Sequence, residues 1–192
     1  MAEELLKAAG DWKGTGTDRR MELLNMKAGN REKGDPDSAL TFASRYGHVE
    51  VAQLLLNNGF DVDYELNREG FYTSLHRACA NGHVEVAQLL LNANIGVDYE
   101  LNQKGFYTSL HRACANGHVE VAQLLLSHFT DLGKLPEYLN QKTQSKENDG
   151  AMKGIEGAMT SLMLAAKNGY THMVRMLLLM TSDDLLMTSD DL

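Results

Sequence analysis

The chain has 192 residues, 43% hydrophobic and 23% charged, with 18 Lys+Arg against 26 Asp+Glu, a formal net charge of −8 and 2 cysteines. That charge argues against a nucleic-acid binder that works by phosphate neutralisation, and no basic cluster suits an anionic membrane surface. No apolar run reaches the ~20 residues of a membrane span, the start MAEELLK lacks the basic and apolar regions of a signal peptide, and so few cysteines fit a reducing compartment. The expectation is a folded intracellular protein, cytoplasmic or nuclear.

Self-similarity organises the chain. Residues 4–29 read as a degenerate first copy of a unit that becomes clear at Gly47–Leu56, GHVEVAQLLL. The 22 letters GFYTSLHRACANGHVEVAQLLL occupy 70–91 and recur at 105–126, an offset of 35 that also relates both to 47–56. Their lead-in VDYELN stands at Val62–Asn67 and again at Val97–Asn102. A looser copy, TSLMLAAKNGYTHMVRMLLL, fills 160–179, with Gly169 placed 52 positions after Gly117, so 17 residues are inserted before it. The boundaries expected are a capping repeat at 1–29, repeats at 30–62, 63–97 and 98–127, an insertion loop at 128–157, a last repeat at 158–181 and a tail at 182–192.

Each unit has a local physical reading. A hydroxyl at Thr73 or Ser74 caps a short helix over 74–81, and Leu75, Ala78 and Cys79 at i, i+3 and i+4 make its apolar side. Asn81-Gly82 breaks it through a left-handed turn. A second helix runs from Val84 to about Asn92, with Glu85, Gln88 and Asn92 wet and Val86, Ala87 and Leu90 facing inward. The alternating lead-in Val62–Asn67, and its copy, suits an extended hairpin arm. Helices this short are marginal alone, so the units must stack into an all-α solenoid.

The unit resembles an ankyrin repeat. The family pattern of a hairpin tip, Thr-Pro-Leu-His-x-Ala-Ala and Gly-His-x-Glu-Val-Val-x-Leu-Leu-Leu is matched by Asn67–Gly70, Thr73–Cys79 and Gly82–Leu91, and again from Asn102 to Leu126. Serine stands in place of the family's proline (Ser74, Ser109), which predicts a modestly weaker helix start. The period of 35 exceeds the family's about 33, which places two extra residues around the hairpin. The resemblance implies an array of stacked helix-turn-helix units with projecting hairpin-like loops, and a non-catalytic protein-binding scaffold with no cofactor. It also implies that the histidines after Leu and after Gly are structural, bonding across the turn and between repeats.

Other chemistries fit less well. His76, Cys79 and His83, copied as His111, Cys114 and His118, lack the four closed ligands of a zinc site. Cys79 and Cys114 occupy equivalent places in neighbouring units, too far apart for a disulfide, and their Ala-Cys-Ala setting suits packing rather than reactivity. Asp61, Asp63, Glu65 and Glu69, echoed by Asp98 and Glu100, miss the glycine and terminal Glu of an EF-hand, and read as acids on exposed arms. Gly14–Thr17 is a turn, not a phosphate loop.

By position, the resemblance puts Arg68, Glu69, Phe71, Tyr72, Arg77 and Asn81 of one unit, and Gln103, Lys104, Phe106, Tyr107, Arg112 and Asn116 of the next, on the partner-binding side. A Phe-Tyr pair beside an Arg has the composition of interaction hot spots. The expected partner is a protein, with no nucleic acid, membrane or metal, and the chain itself is expected to be a monomer. A targeting or regulatory domain of a larger enzyme or effector, and an engineered or recently duplicated binder, are the alternative readings. Phe129, Leu132, Leu135, Tyr138 and Leu139 have near-helical spacing at the start of the insertion, and its later part is polar. The last unit is apolar where a closing repeat needs a polar outer face, and the tail repeats LMTSDDL at 179–185 and 186–192.

Overall fold

In the computed structural model the first helix of each pair begins where a hydroxyl meets a free backbone amide, and a glycine then lets the chain reverse into the second. Residues 27–28, 37–60, 73–97, 100, 107–143 and 159–181 are described. They belong to two compact units, 1–97 and 98–192, each taken here by itself.

In the first unit a two-residue antiparallel ladder, β1 (Lys27–Ala28) with β2 (Asp37–Ser38), pairs Lys27 with Ser38 and Ala28 with Asp37. Helix α1 (Ala39–Tyr46) follows at once, its N-terminus capped by Ser38 Oγ, which accepts from Thr41 N–H at 3.1 Å. Gly47, at φ +74°, turns the chain into α2 (Val49–Asn57). The pair then recurs as α3 (Ser74–Asn81), Gly82 at φ +78°, and α4 (Val84–Asn92). L-residues with a Cβ are disfavoured at such φ, so glycine sits at each reversal. Leu40, Ala52, Leu75, Ala78, Cys79, Val86, Ala87 and Leu90 are fully buried, and α1 packs chiefly on α3. Each buried leucine contributes roughly 1.5–3 kcal/mol, which these short helices lack in isolation.

His83 locks one helix pair to the other. Its Nε2 bonds the carbonyl of Arg45 at 3.0 Å, and its ring lies so close to Gly47 that a Cβ there would stand 2.6 Å from Nδ1.

In the second unit α5 (Ser109–Asn116) turns at Gly117, φ +76°, into α6 (Val119–Asp131). The stretch expected to be loop from 128 onward therefore begins as helix, and a short helix, α7 (Leu135–Leu139), follows. The apolar spacing of this stretch has a clear result: Phe129 and Tyr138 are fully buried and stack at 3.7 Å between centroids. Thr143 N–H donates to Met159 O at 3.0 Å and Met159 N–H to Thr143 Oγ1 at 3.1 Å, which pins the two sides of the insertion together. The unit closes with α8 (Ser161–Lys167), capped by Thr160, and α9 (Thr171–Thr181). Here the two tasks of His83 are divided. Tyr170 covers Gly117, where a Cβ would meet its ring at 2.8 Å, and Asn168 Nδ2 donates to Ala115 O at 3.1 Å. Residues 1–26, 61–72 and 182–192, which include most of the expected cap, one hairpin arm and the tail, lie outside the described residues.

Candidate functional site

The side chains that could meet a partner follow from the period. Shifting by 35 places Phe42 at the position of Arg77 and Tyr46 at that of Asn81. These are the helix positions turned away from the buried Leu-x-x-Ala stripe. Phe42 is 37% exposed and Tyr46 60%. One helical turn apart on α1, their rings lie nearly parallel, with centroids 6.5 Å apart and an interplanar angle of 2°. Tyr46 also stacks on His48 at 6.2 Å. On α3, Arg77 is half-buried and Asn81 exposed, and Asn81 Nδ2 donates back to Arg77 O at 2.8 Å. Phe42 and Tyr46 are not among the residues the sequence reading selects. The 35-residue offset is the signal that finds them.

In the second unit Tyr107 is half-buried and Asn116 exposed. Arg112 differs from an open contact residue: it is buried, with its guanidinium 4.5 Å from the Tyr107 ring centroid. A cation over an aromatic face is attracted by the ring quadrupole, so this arginine orders its own unit. Arg68, Glu69, Phe71, Tyr72, Gln103, Lys104 and Phe106 lie outside the described residues.

The largest correction concerns Glu100. The alternating pattern of 97–102 predicts an extended arm with its acids in water, yet Val97 and Glu100 are helical and Glu100 is 2% exposed. Its carboxylate accepts from Ser109 N–H and from Ser109 Oγ–H, both at 2.7 Å, and from the Tyr138 hydroxyl at 3.1 Å. Tyr138 Oη in turn accepts from Leu110 N–H at 3.1 Å, and Gln141 Nε2 donates to Glu100 O at 2.9 Å. The physical reason is the serine that stands where the family has proline. Proline carries no N–H at the first helical position, whereas Ser109 brings two donors into a buried place, and buried donors demand an acceptor. In the last unit Met152 stands nine residues before Ser161, where Glu100 precedes Ser109. There the buried Ser161 hydroxyl finds no hydrogen-bond partner among the described residues.

The histidines and cysteines serve the scaffold. Thr108 N–H donates to His111 Nδ1 at 3.3 Å and His111 N–H to Thr108 Oγ1 at 3.3 Å, a reciprocal cap repeated at Thr73 and His76. With Nδ1 accepting, the proton sits on Nε2, which reaches Met159 O at 3.2 Å. Cys79 and Cys114 are buried free thiols, and burial pushes the Cys114 pKa up from 9.0 to about 12. Among the described residues no three His, Cys, Asp or Glu side chains form a group that could hold a metal ion, and no helix is long and apolar enough to cross a membrane.

Paired short helices, glycine reversals and interlocking side chains at a fixed offset define an all-α repeat solenoid. The chain belongs to the ankyrin repeat family: the family model described as ankyrin repeats (3 copies) matches residues 13–103, 67–138 and 95–188. Ankyrin repeats are generally protein–protein interaction modules without catalytic activity. A comparison with curated proteins finds no match.

Proposed function

We propose that this chain is a non-catalytic scaffold that binds a partner protein through the side of its first helices left open by packing. Phe42 and Tyr46 are the anchors, and Arg77 and Asn81 hold the equivalent positions on α3. The observation that carries this is the exposed, nearly parallel Phe42–Tyr46 pair, because aromatic side chains present large rigid contact area and dominate interface energetics. By their place in the repeat, Arg68, Glu69, Phe71, Tyr72, Gln103, Lys104 and Phe106 are further candidates, and Tyr107 and Asn116 are candidates in the second unit. The two free thiols support a reducing, cytoplasmic setting.

The test is capture on the immobilised full chain, from a lysate of its source, compared with a Phe42→Ala/Tyr46→Ala variant. Loss of captured proteins from the variant, with its helical content and urea midpoint kept near those of the parent, supports the reading. An unchanged set of captured proteins sinks it.

A further inference from the structure

Four Asn-Gly pairs stand in the chain, at 58–59, 81–82, 116–117 and 168–169. Asparagine is a chemically labile residue, most so before glycine, whose missing side chain lets its amide nitrogen approach the Asn side-chain carbon. In the second unit the two pairs differ in their cover. A Cβ at Gly117 would meet the Tyr170 ring at 2.8 Å, whereas a Cβ at Gly169 would meet nothing within 4 Å. Gly169 N–H donates to Ala166 O at 3.1 Å, and Asn168 and Gly169 are both exposed. Around this turn Lys167, His172 and Arg175 are exposed as well, and residues 159–181 contain no Asp or Glu. Such cations stabilise the negative charge that develops when an amide nitrogen attacks a carbonyl. The Asn168 side chain also has a structural task. Its Nδ2 donates to Leu164 O at 3.0 Å and, across to the neighbouring helix pair, to Ala115 O at 3.1 Å.

We propose that Asn168 is a site of spontaneous deamidation, and that its conversion unties the α8–α9 turn from α5. The Gly169 nitrogen attacks Cγ of Asn168 once the turn opens. An N–Cγ bond forms, the Cγ–Nδ2 bond breaks, and ammonia leaves with the proton given up by Gly169 N–H. Water then opens the cyclic imide. Addition at Cγ gives aspartate, addition at the main-chain carbonyl carbon gives isoaspartate, and nothing is oxidised or reduced. Either product replaces the amide donor by a carboxylate, which cannot donate to Ala115 O or Leu164 O and is repelled by both. The new charge also stands at the negative end of the α8 dipole, an unfavourable place for an anion. Asn58-Gly59 is open in the same way, with nothing within 4 Å of a Cβ at Gly59. There Nδ2 bonds Leu54 O of its own helix at 2.8 Å. The bond to Ala115 O is what couples the chemistry of Asn168 to the packing of two helix pairs.

Ageing the full chain in heavy-oxygen water at mildly alkaline pH, then digesting it in ordinary water, tests the proposal, because deamidation during ageing marks the product with heavy oxygen. Trypsin separates the two sites, Asn168 in 168–175 and Asn116 in 113–134. In the folded chain the mark should appear at Asn168 about tenfold or more faster than at Asn116, since local opening sets the rate. In urea the two rates should become comparable. Tyr170→Ala, which uncovers Gly117, should raise the rate at Asn116. Asn168→Asp should speed hydrogen exchange in α8 and α9 about tenfold or more. If that variant does not fold, the aged chain, resolved from its parent on an anion exchanger by the added charge, should show the same faster exchange. Equal marking of Asn168 and Asn116 in the folded chain would overturn the proposal. So would a difference that persists in urea, where sequence rather than cover would set it, or unchanged exchange in the converted chain.

Discussion

Replacing Glu100 by alanine should destabilise the second unit far more than its place in an acidic repeat suggests. The carboxylate receives two 2.7 Å bonds from Ser109 and one of 3.1 Å from Tyr138. Hydrogen bonds to a charged group contribute about 1.5–3 kcal/mol each, and stranding a buried donor costs about 1–3 kcal/mol. The hydroxyls of Ser109 and Tyr138 can rotate toward other acceptors, but the Ser109 amide is held in the first turn of α5. Weighing the strong Ser109 pair fully and Tyr138 little, Glu100→Ala should cost about 3–5 kcal/mol, a large part of the ~5–15 kcal/mol typical of a domain. Urea unfolding followed by circular dichroism measures it, with Glu85→Ala on the exposed face of α4 as the control, expected within about 0.5 kcal/mol of the parent. In a double-mutant cycle, Glu100→Ala and Tyr138→Phe should couple by about 0.5–3 kcal/mol. A Glu100→Ala cost below about 1 kcal/mol, indistinguishable from Glu85→Ala, would refute the argument that the carboxylate is the acceptor these donors require.

The same geometry predicts that Ser109→Pro, which restores the family's residue, destabilises by more than about 1 kcal/mol, because it removes two donors from a buried carboxylate; the same urea titration checks it. Gly47→Ala and Gly117→Ala should each cost more than about 1 kcal/mol, from positive φ and from the rings of His83 and Tyr170, and Tyr170→Ala should relieve part of the second loss. Thr108→Ala should cost about 1–2 kcal/mol through loss of the cap on α5, read by the melting temperature. Cys79 and Cys114 should resist a thiol reagent in the native protein and react on unfolding. With the Cys114 pKa raised from 9.0 to about 12 in the fold, its contribution to stability is complete below pH 9 and is lost as pH rises toward 12, so alkaline unfolding should be delayed in Cys114→Ala if that variant packs.

How much of the site could be read in the sequence depends on how local its causes are. The helices over 74–81 and 84–92 and the buried faces of Leu75, Ala78, Val86 and Leu90 follow from spacing within ten residues, and the structure has them there, with Thr73 rather than Ser74 as the cap. Phe42 and Tyr46 were within reach of the 35-residue period, because the offset carries the open positions of α3 onto α1. Arg112 was not: its burial depends on Tyr107 and on packing that no periodicity encodes.

Glu100 marks the division most clearly. The sequence by itself determines that Ser109 begins a helix and that its amide, unlike proline's, needs a partner. Only the tertiary structure decides which group answers, because Tyr138, 38 residues further on, must first return over the start of α5. Helix, turn and period arise from contacts between near neighbours along the chain, so they are written in local pattern. The burial of a charge is decided by what distant segments bring to it, and that depends on the path of the whole chain.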